Sequence, residues 1–153
     1  MKFTPCSPEL YDECITKQRA NFKSIGWIEV YERLAAANQH HEIMVALDPE
    51  TNAQLGWTLM CSPSAVVLED VAFISLLPSG EKTGVISCVE VGKEARGKGV
   101  GLALLVNAIE HMKSRGLEGV LIDWVVIRGF YEQLGFEAAW EYETFEWYVS
   151  KAS

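Results

Sequence analysis

The chain has 153 residues, enough for one domain around a single sizeable core. Apolar residues make up 49% and charged residues 22%; no apolar run approaches a membrane span, and the N-terminus MKFTPCSPELYDEC has no signal-like apolar stretch, so a soluble cytoplasmic protein is expected. A net charge of −8 repels a nucleic-acid backbone and attracts a cationic small substrate.

Lys2 to Cys6 reads as a short edge strand. Ser7-Pro8-Glu9 starts a helix, with Ser7 as N-cap, Pro8 at the first helical position, and Glu9, Asp12 and Glu13 making its start acidic. Leu10, Cys14 (or Tyr11), Ile15 and Gln18 carry that helix towards Phe22, and Gly26 interrupts it. Trp27 to Asn38 predicts a second helix, with Ile28, Tyr31, Leu34 and Ala35 on one face. His40 and His41 end it; no Cys or carboxylate spacing supports a metal site there, so they read as solvated helix-end residues.

Glu42 to Leu47 predicts a strand, Asp48 to Asn52 is turn chemistry, and Gln54 to Cys61 is the returning strand of a hairpin. Ser62-Pro63-Ser64 breaks that strand. Val66 to Leu77 is apolar without a period and takes no assignment; Pro78 to Gly84 reads as a loop. The four cysteines, Cys6, Cys14, Cys61 and Cys88, form no CxxC pair and read as reduced packing thiols.

Val85, Ile86, Val89 and Val91 form a β-branched run that suits a central strand buried on both faces. Glycines follow at 92, 97, 99 and 101. The spacing then turns helical through Val100, Ala103/Leu104, Ala108/Ile109 and Met112, and Lys113, Arg115 and Gly116 supply a basic last turn and a C-cap. Gly119 to Trp124 predicts another buried strand, parallel to the first, with Asp123 near its C-terminal end. Ile127 to Leu134 predicts a short helix; Phe136 to Trp140 and Thr144 to Val149 predict a closing antiparallel pair. The whole is an α/β chain with a mixed central sheet flanked by helices.

A strand that runs into a glycine-rich basic turn and then a helix is built to take a phosphate. The first turn of a helix has unpaired N–H groups at its positive end, glycines allow close approach and φ > 0, and Arg96 and Lys98 add full charges. Three patterns compete for this turn. Gly92 to Gly99 almost spells a P-loop, but Gly99 stands where the magnesium-holding hydroxyl belongs. Gly97-Lys98-Gly99 opens a dinucleotide GxGxxG, but Leu102 occupies the third glycine position, and the motif sits late in the chain.

The third pattern fits without repair. Arg96-Gly97-Lys98-Gly99-Val100-Gly101 resembles the (Arg/Gln)-x-x-Gly-x-(Gly/Ala) signature of the GCN5-related N-acetyltransferases, the GNAT family. About thirty residues on, Gly129 to Phe136 (GFYEQLGF) resembles that family's late FYExLGF element, and Gly56-Trp57 on a hairpin strand is common there. The resemblance is expected to cover the whole chain, 1–153, as one domain with a GNAT-like fold.

The resemblance implies acetyl-CoA as donor, a small-molecule primary amine as acceptor, and no metal. It assigns the CoA pyrophosphate to Arg96, Gly97, Lys98, Gly99, Val100 and Gly101, with Phe130 beside them, and the pantetheine arm to the backbone of Val89, Glu90 and Val91. Tyr131 matches the tyrosine that protonates the leaving thiolate. Several family members carry a base early in the central strand, where this chain has Thr83, Gly84 and Val85, none of which can serve. Asp123, Glu90, Glu69 and Asp70 remain; Asp123 is the first choice, because a carboxylate at the end of a buried strand is costly without a partner.

Many GNAT proteins have Asn seven residues before the tyrosine, where this chain has Trp124. The Asp123-Trp124 segment running into GFYEQLGF resembles the small GNAT proteins that acetylate glucosamine or glucosaminides. On that reading Trp57 and Trp124 stack on a sugar face and Asp123 holds the ammonium. Peptide amines, polyamines and a catalytically idle acyl-CoA-binding domain are the alternatives. The family also makes a homodimer an expectation, although no apolar stripe demonstrates one.

Overall fold

The computed structural model describes residues 1–21, 25–71, 82–123, 125, 127–141, 143 and 145. Their backbone builds one five-stranded sheet in the order β1-β2-β3-β4-β5. The strands are β1 (Lys2–Pro5), β2 (Ile43–Leu47), β3 (Gln54–Cys61), β4 (Thr83–Val91) and β5 (Gly119–Ile122). The first four pair antiparallel, and β5 joins β4 in parallel. Helices α1 (Pro8–Asn21) and α2 (Ile25–Ala36) precede β2, and α3 (Val100–Ser114) connects β4 to β5.

The β2–β3 hairpin follows from its turn residues. Asp48 Oδ1 accepts hydrogen bonds from the N–H groups of Glu50 (3.0 Å) and Thr51 (2.9 Å), and Asn52 takes φ 58°. Alternation then sends side chains to opposite faces of the sheet. Ile43, Val45, Trp57, Leu59 and Val85 form one core with Cys14 and Ile15 of α1 and Tyr31 and Leu34 of α2. Met44, Ala46, Met60 and Ile86 form the second with Leu104, Leu105, Ala108 and Met112 of α3. Leu104, Leu105 and Met112 are fully buried, each worth about 1.5–3 kcal/mol relative to exposure.

Two contacts seat α3 on the sheet. Gly84 gives it room: a side-chain carbon there would come within 2.8 Å of the Cys61 carbonyl and would collide with Met112. Arg115, at the C-terminal end of α3, meets Glu42, whose side chain is only 1% exposed (Arg115 Nη2 to Glu42 Oε1, 2.8 Å). Ser62 completes the shell, donating from its N–H (2.8 Å) and hydroxyl (2.6 Å) to the same carboxylate. Burial alone would raise the pKa of Glu42; the bonds from Arg115 and Ser62 outweigh it and hold the carboxyl below its ordinary value.

Several expected elements differ. Glu42 stands in a 3₁₀ turn (His40–Glu42) just before β2, not in the strand. Gly26 does not interrupt a helix; it lies in the first turn of α2, which begins at Ile25. The helix expected over 127–134 is reduced to one 3₁₀ turn, Glu132–Leu134, because Gly129 takes φ 83° and breaks the run. Residues 136–140 form no strand, and most of them are exposed. Most of the strand expected at 144–149 lies outside the described residues, as do all of 72–77 from the unassigned apolar stretch. The described part of that stretch makes a 3₁₀ turn at Leu68–Asp70.

Candidate active site

The site is organised by β4, the strand between the antiparallel and parallel halves of the sheet. β4 pairs with β5 from Thr83 to Ile86, and the Asp123 N–H just after β5 bonds the Ile86 carbonyl (3.1 Å). Beyond that point, among the described residues, no strand pairs with Val89–Val91 on the β5 side. On the β3 side pairing resumes, but out of step. Leu59 pairs with Ser87 and Trp57 with Glu90, so β4 carries one extra residue between those pairs, a β-bulge.

Cys88 sits in the bulge with φ 50°. For a residue with a side chain this conformation costs about 1–2 kcal/mol. No glycine marks the position, so the sequence carries no sign of it. The Cys88 carbonyl accepts a hydrogen bond from the hydroxyl of Tyr31, a wholly buried residue of α2 (3.3 Å). Gln18 of α1 lies wholly buried beside that hydroxyl.

After Val91 the chain makes a 3₁₀ turn at Lys93–Ala95, then passes Arg96 to Gly99 into α3. Gly97 (φ 73°) and Gly99 (φ 74°) are both left-handed, with open space where a side chain would stand. Gly99 caps α3 without a side-chain hydrogen bond, and the first turn carries no acidic residue. The N–H groups at this helix start therefore stand ready for an anion. Arg96 adds charge and also ties the turn to β4: its Nε donates to the Val91 carbonyl (3.0 Å) and its Nη2 pairs with Glu90 (2.9 Å). Burial raises the pKa of Glu90 despite that partner.

Phe130 and Tyr131 close the far side. Their rings meet edge to face at 5.1 Å, and both pack on the α3 core. Gly101 in α3 leaves just enough room: a side-chain carbon there would stand 3.4 Å from both Phe130 and Val91. Tyr131 is half-buried, and burial, with Cys88 nearby, pushes its pKa above the ordinary phenol value. Its proton is thus held firmly at neutral pH. Asp123 follows β5, half-buried and close enough to raise the pKa of the buried Cys88 thiol further.

The structure thus brings Val89, Glu90, Val91, Arg96 to Gly101, Phe130, Tyr131 and Asp123 to one end of the β4–β5 pair. It does not bring Trp57 there. Trp57 is 0% exposed, on the core face towards α1 and α2, with its indole N–H bonded to Gln54 Oε1 at 2.6 Å. A ring with no free face cannot stack on a sugar, so the substrate role expected of Trp57 is corrected to a packing role. Trp124 lies outside the described residues. Glu69 is turned to α2, paired with Arg33 at 2.7 Å. The Glu90–Arg96 pair and the support of the bulge by Tyr31 were not read from the sequence. The opposite charges six residues apart across a tight turn could have signalled the first.

Among the described residues no group of three or more His, Cys, Asp or Glu could hold a metal ion, and no helix is long and apolar enough to cross a membrane.

Residues 62–136 match the model of the acetyltransferase (GNAT) family. Two rice (Oryza sativa subsp. japonica) proteins are similar. Glucosamine 6-phosphate N-acetyltransferase 1 is 29% identical over 107 residues, which is 69% of this chain and 59% of the relative. Probable glucosamine 6-phosphate N-acetyltransferase 2 is 30% identical over 106 residues, 67% of this chain and 58% of the relative. The chain therefore spans under two thirds of the length of these curated relatives. Among solved structures, the GCN5-related glucosamine N-acetyltransferase region of a fungal multi-domain GH3 β-N-acetylglucosaminidase aligns at TM-score 0.75 and 24% identity, over 86% of this chain and 16% of that one. A Brucella melitensis GNAT family acetyltransferase in complex with acetyl-CoA aligns at TM-score 0.65 and 22% identity, over 90% of this chain and 82% of that one. The fold, a mixed five-stranded sheet with three helices, matches that of these structures.

Proposed function

Because the chain belongs to the GNAT acetyltransferase family, we propose that residues 1–153 form one domain that transfers the acetyl group of acetyl-CoA to the primary amine of an amino sugar, glucosamine or a glucosaminide. One observation carries the reading. Past a bulge in β4, among the described residues, no strand pairs with Val89–Val91 on the β5 side, and that edge leads directly to a glycine turn and to a start of α3 with no side-chain cap, with Tyr131 packed on the same core.

The residues present fit the donor. The N–H groups of Arg96 to Gly101 and the charges of Arg96 and Lys98 would hold its pyrophosphate. The edge of Val89, Glu90 and Val91 would pair with the pantetheine arm, fixing the thioester in place and turning a peptide N–H to its carbonyl oxygen. The Phe130 ring lies beside Gly101, against the start of α3. Acetyl-CoA supplies an acyl group that is already activated, so no covalent enzyme intermediate is required.

Asp123 takes the role of holding the acceptor ammonium and receiving its proton; Glu90, whose raised pKa suits a base, is the runner-up. Tyr131 gives its phenolic proton to the thiolate sulfur as the C–S bond breaks. Trp124 enters as an acceptor contact on the sequence alone. The sugar acceptor is supported by the rice relatives and the fungal region, whose names specify glucosamine chemistry.

The test is thiol release from acetyl-CoA by the purified chain against glucosamine, glucosamine 6-phosphate, chitosan oligosaccharides, polyamines and lysine peptides. Release with a glucosamine-type amine is expected. Release only with polyamines or peptides would keep the mechanism and overturn the sugar. Binding of acetyl-CoA without release on any of these amines would favour an idle acyl-CoA-binding domain.

A further inference from the structure

We infer that Tyr31 is a positioning residue: its hydroxyl pins the Cys88 carbonyl, holds the β4 bulge in its left-handed form, and so sets the Val89–Val91 backbone where the acyl donor is received. The inference rests on the reading of that edge as the donor site. Tyr31 is far from any surface, at 0% exposure, and touches no atom of the proposed substrates.

Three observations meet at this point. Cys88 is the one residue within the sheet's strands, among those described, that has a side chain and a positive φ. L residues avoid that region, so a local contact must hold it there. The bulge lies where β4 stays with β3 and, among the described residues, no longer pairs with β5, so its geometry sets the direction of Val89–Val91. The bulged residue is buried, at 8% exposure, and a hydrogen bond to its carbonyl comes from a side chain 57 residues earlier, on α2. Without the hydroxyl, the left-handed cysteine would lose the side-chain bond to its carbonyl. Relaxation of the bulge would then move the donor edge.

The test is Tyr31→Phe, which keeps the ring in the core and removes only the hydroxyl. In ligand-free protein the amides of Val89, Glu90 and Val91 should exchange faster with solvent in the variant. Acetyl-CoA should bind about three- to tenfold more weakly, the worth of one hydrogen bond. Adding Cys88→Gly, which takes positive φ without steric cost, should restore affinity towards wild type. A general packing defect would not be rescued by a glycine in β4. Unchanged amide exchange and affinity in folded Tyr31→Phe would overturn the inference, as would failure of Cys88→Gly to rescue. If the wild-type chain does not bind acetyl-CoA, the donor reading falls, and the exchange comparison alone decides the role of Tyr31: faster exchange supports it and equal exchange overturns it.

Discussion

Arg96 faces two ways: its Nε holds the Val91 carbonyl at 3.0 Å while its Nη2 holds the Glu90 carboxylate at 2.9 Å, so one guanidinium fastens the glycine turn to the strand before it. Its charge therefore stands at the start of α3, where the donor's phosphates are proposed to sit. Arg96→Ala should weaken acetyl-CoA binding about tenfold, measured by calorimetric titration.

Glu90, the other half of that pair, has its pKa raised by burial. A raised carboxylate favours folding below its unfolded-state pKa and loses that contribution as pH rises through the native value. At pH 7 it works against the fold, so Glu90→Gln should melt no lower than wild type there. Acetyl-CoA affinity should stay within about threefold, since the Val91 tether of Arg96 remains. A large fall in the turnover rate of this variant would move the base from Asp123 to Glu90.

The opposite sign holds at Glu42. Its pKa is held low by Arg115 and Ser62, so its contribution is present above the ordinary carboxylate range and is lost as pH falls through the lowered native value. Glu42→Gln should cost about 3 kcal/mol at pH 7 and lower the melting temperature by about 10 °C, because it leaves Arg115 facing a neutral group. The gap to wild type should narrow on acidification. Thermal melts of both proteins from pH 7 to pH 3 check both the size and the sign.

Two glycines offer a paired test. Gly99 has φ 74°, so Gly99→Ala should destabilise the chain by about 1 kcal/mol or more and weaken acetyl-CoA binding. Gly26 lies exposed in α2 with open space around it and no positive φ. Gly26→Ala should therefore stabilise by about 0.4–1 kcal/mol. Denaturant melts of the two variants should shift in opposite directions.

The elements that could be read from the sequence are those with local causes. Turn chemistry from Asp48 to Asn52 fixed the hairpin, and Gln54–Cys61 is the strand expected. The glycine turn and the periodicity after it fixed α3. Features set by distant partners were not legible. Glu42 looked like the start of a strand until Arg115, 73 residues away, came to meet it. Trp57 looked available for a sugar on the family resemblance; only the packing of α1 and α2 shows that the ring is enclosed. The helix over 127–134 failed because nothing in the neighbouring residues revealed the left-handed Gly129. At the site, the basic turn and the GFYEQLGF segment were visible in the residues, but the bulge at Cys88 was not. It is a relation between three strands and α2, with no residue type to announce it.

The most direct test of the account is the rate of thiol release from acetyl-CoA by Tyr131→Phe beside wild type, on whichever amine gives turnover, with acetyl-CoA affinity measured for both. If Tyr131 supplies the proton to the leaving thiolate, the turnover rate falls by about a hundredfold or more while acetyl-CoA affinity stays near wild type. Turnover equal to wild type would contradict the acid role and, with it, the mechanism built on this site.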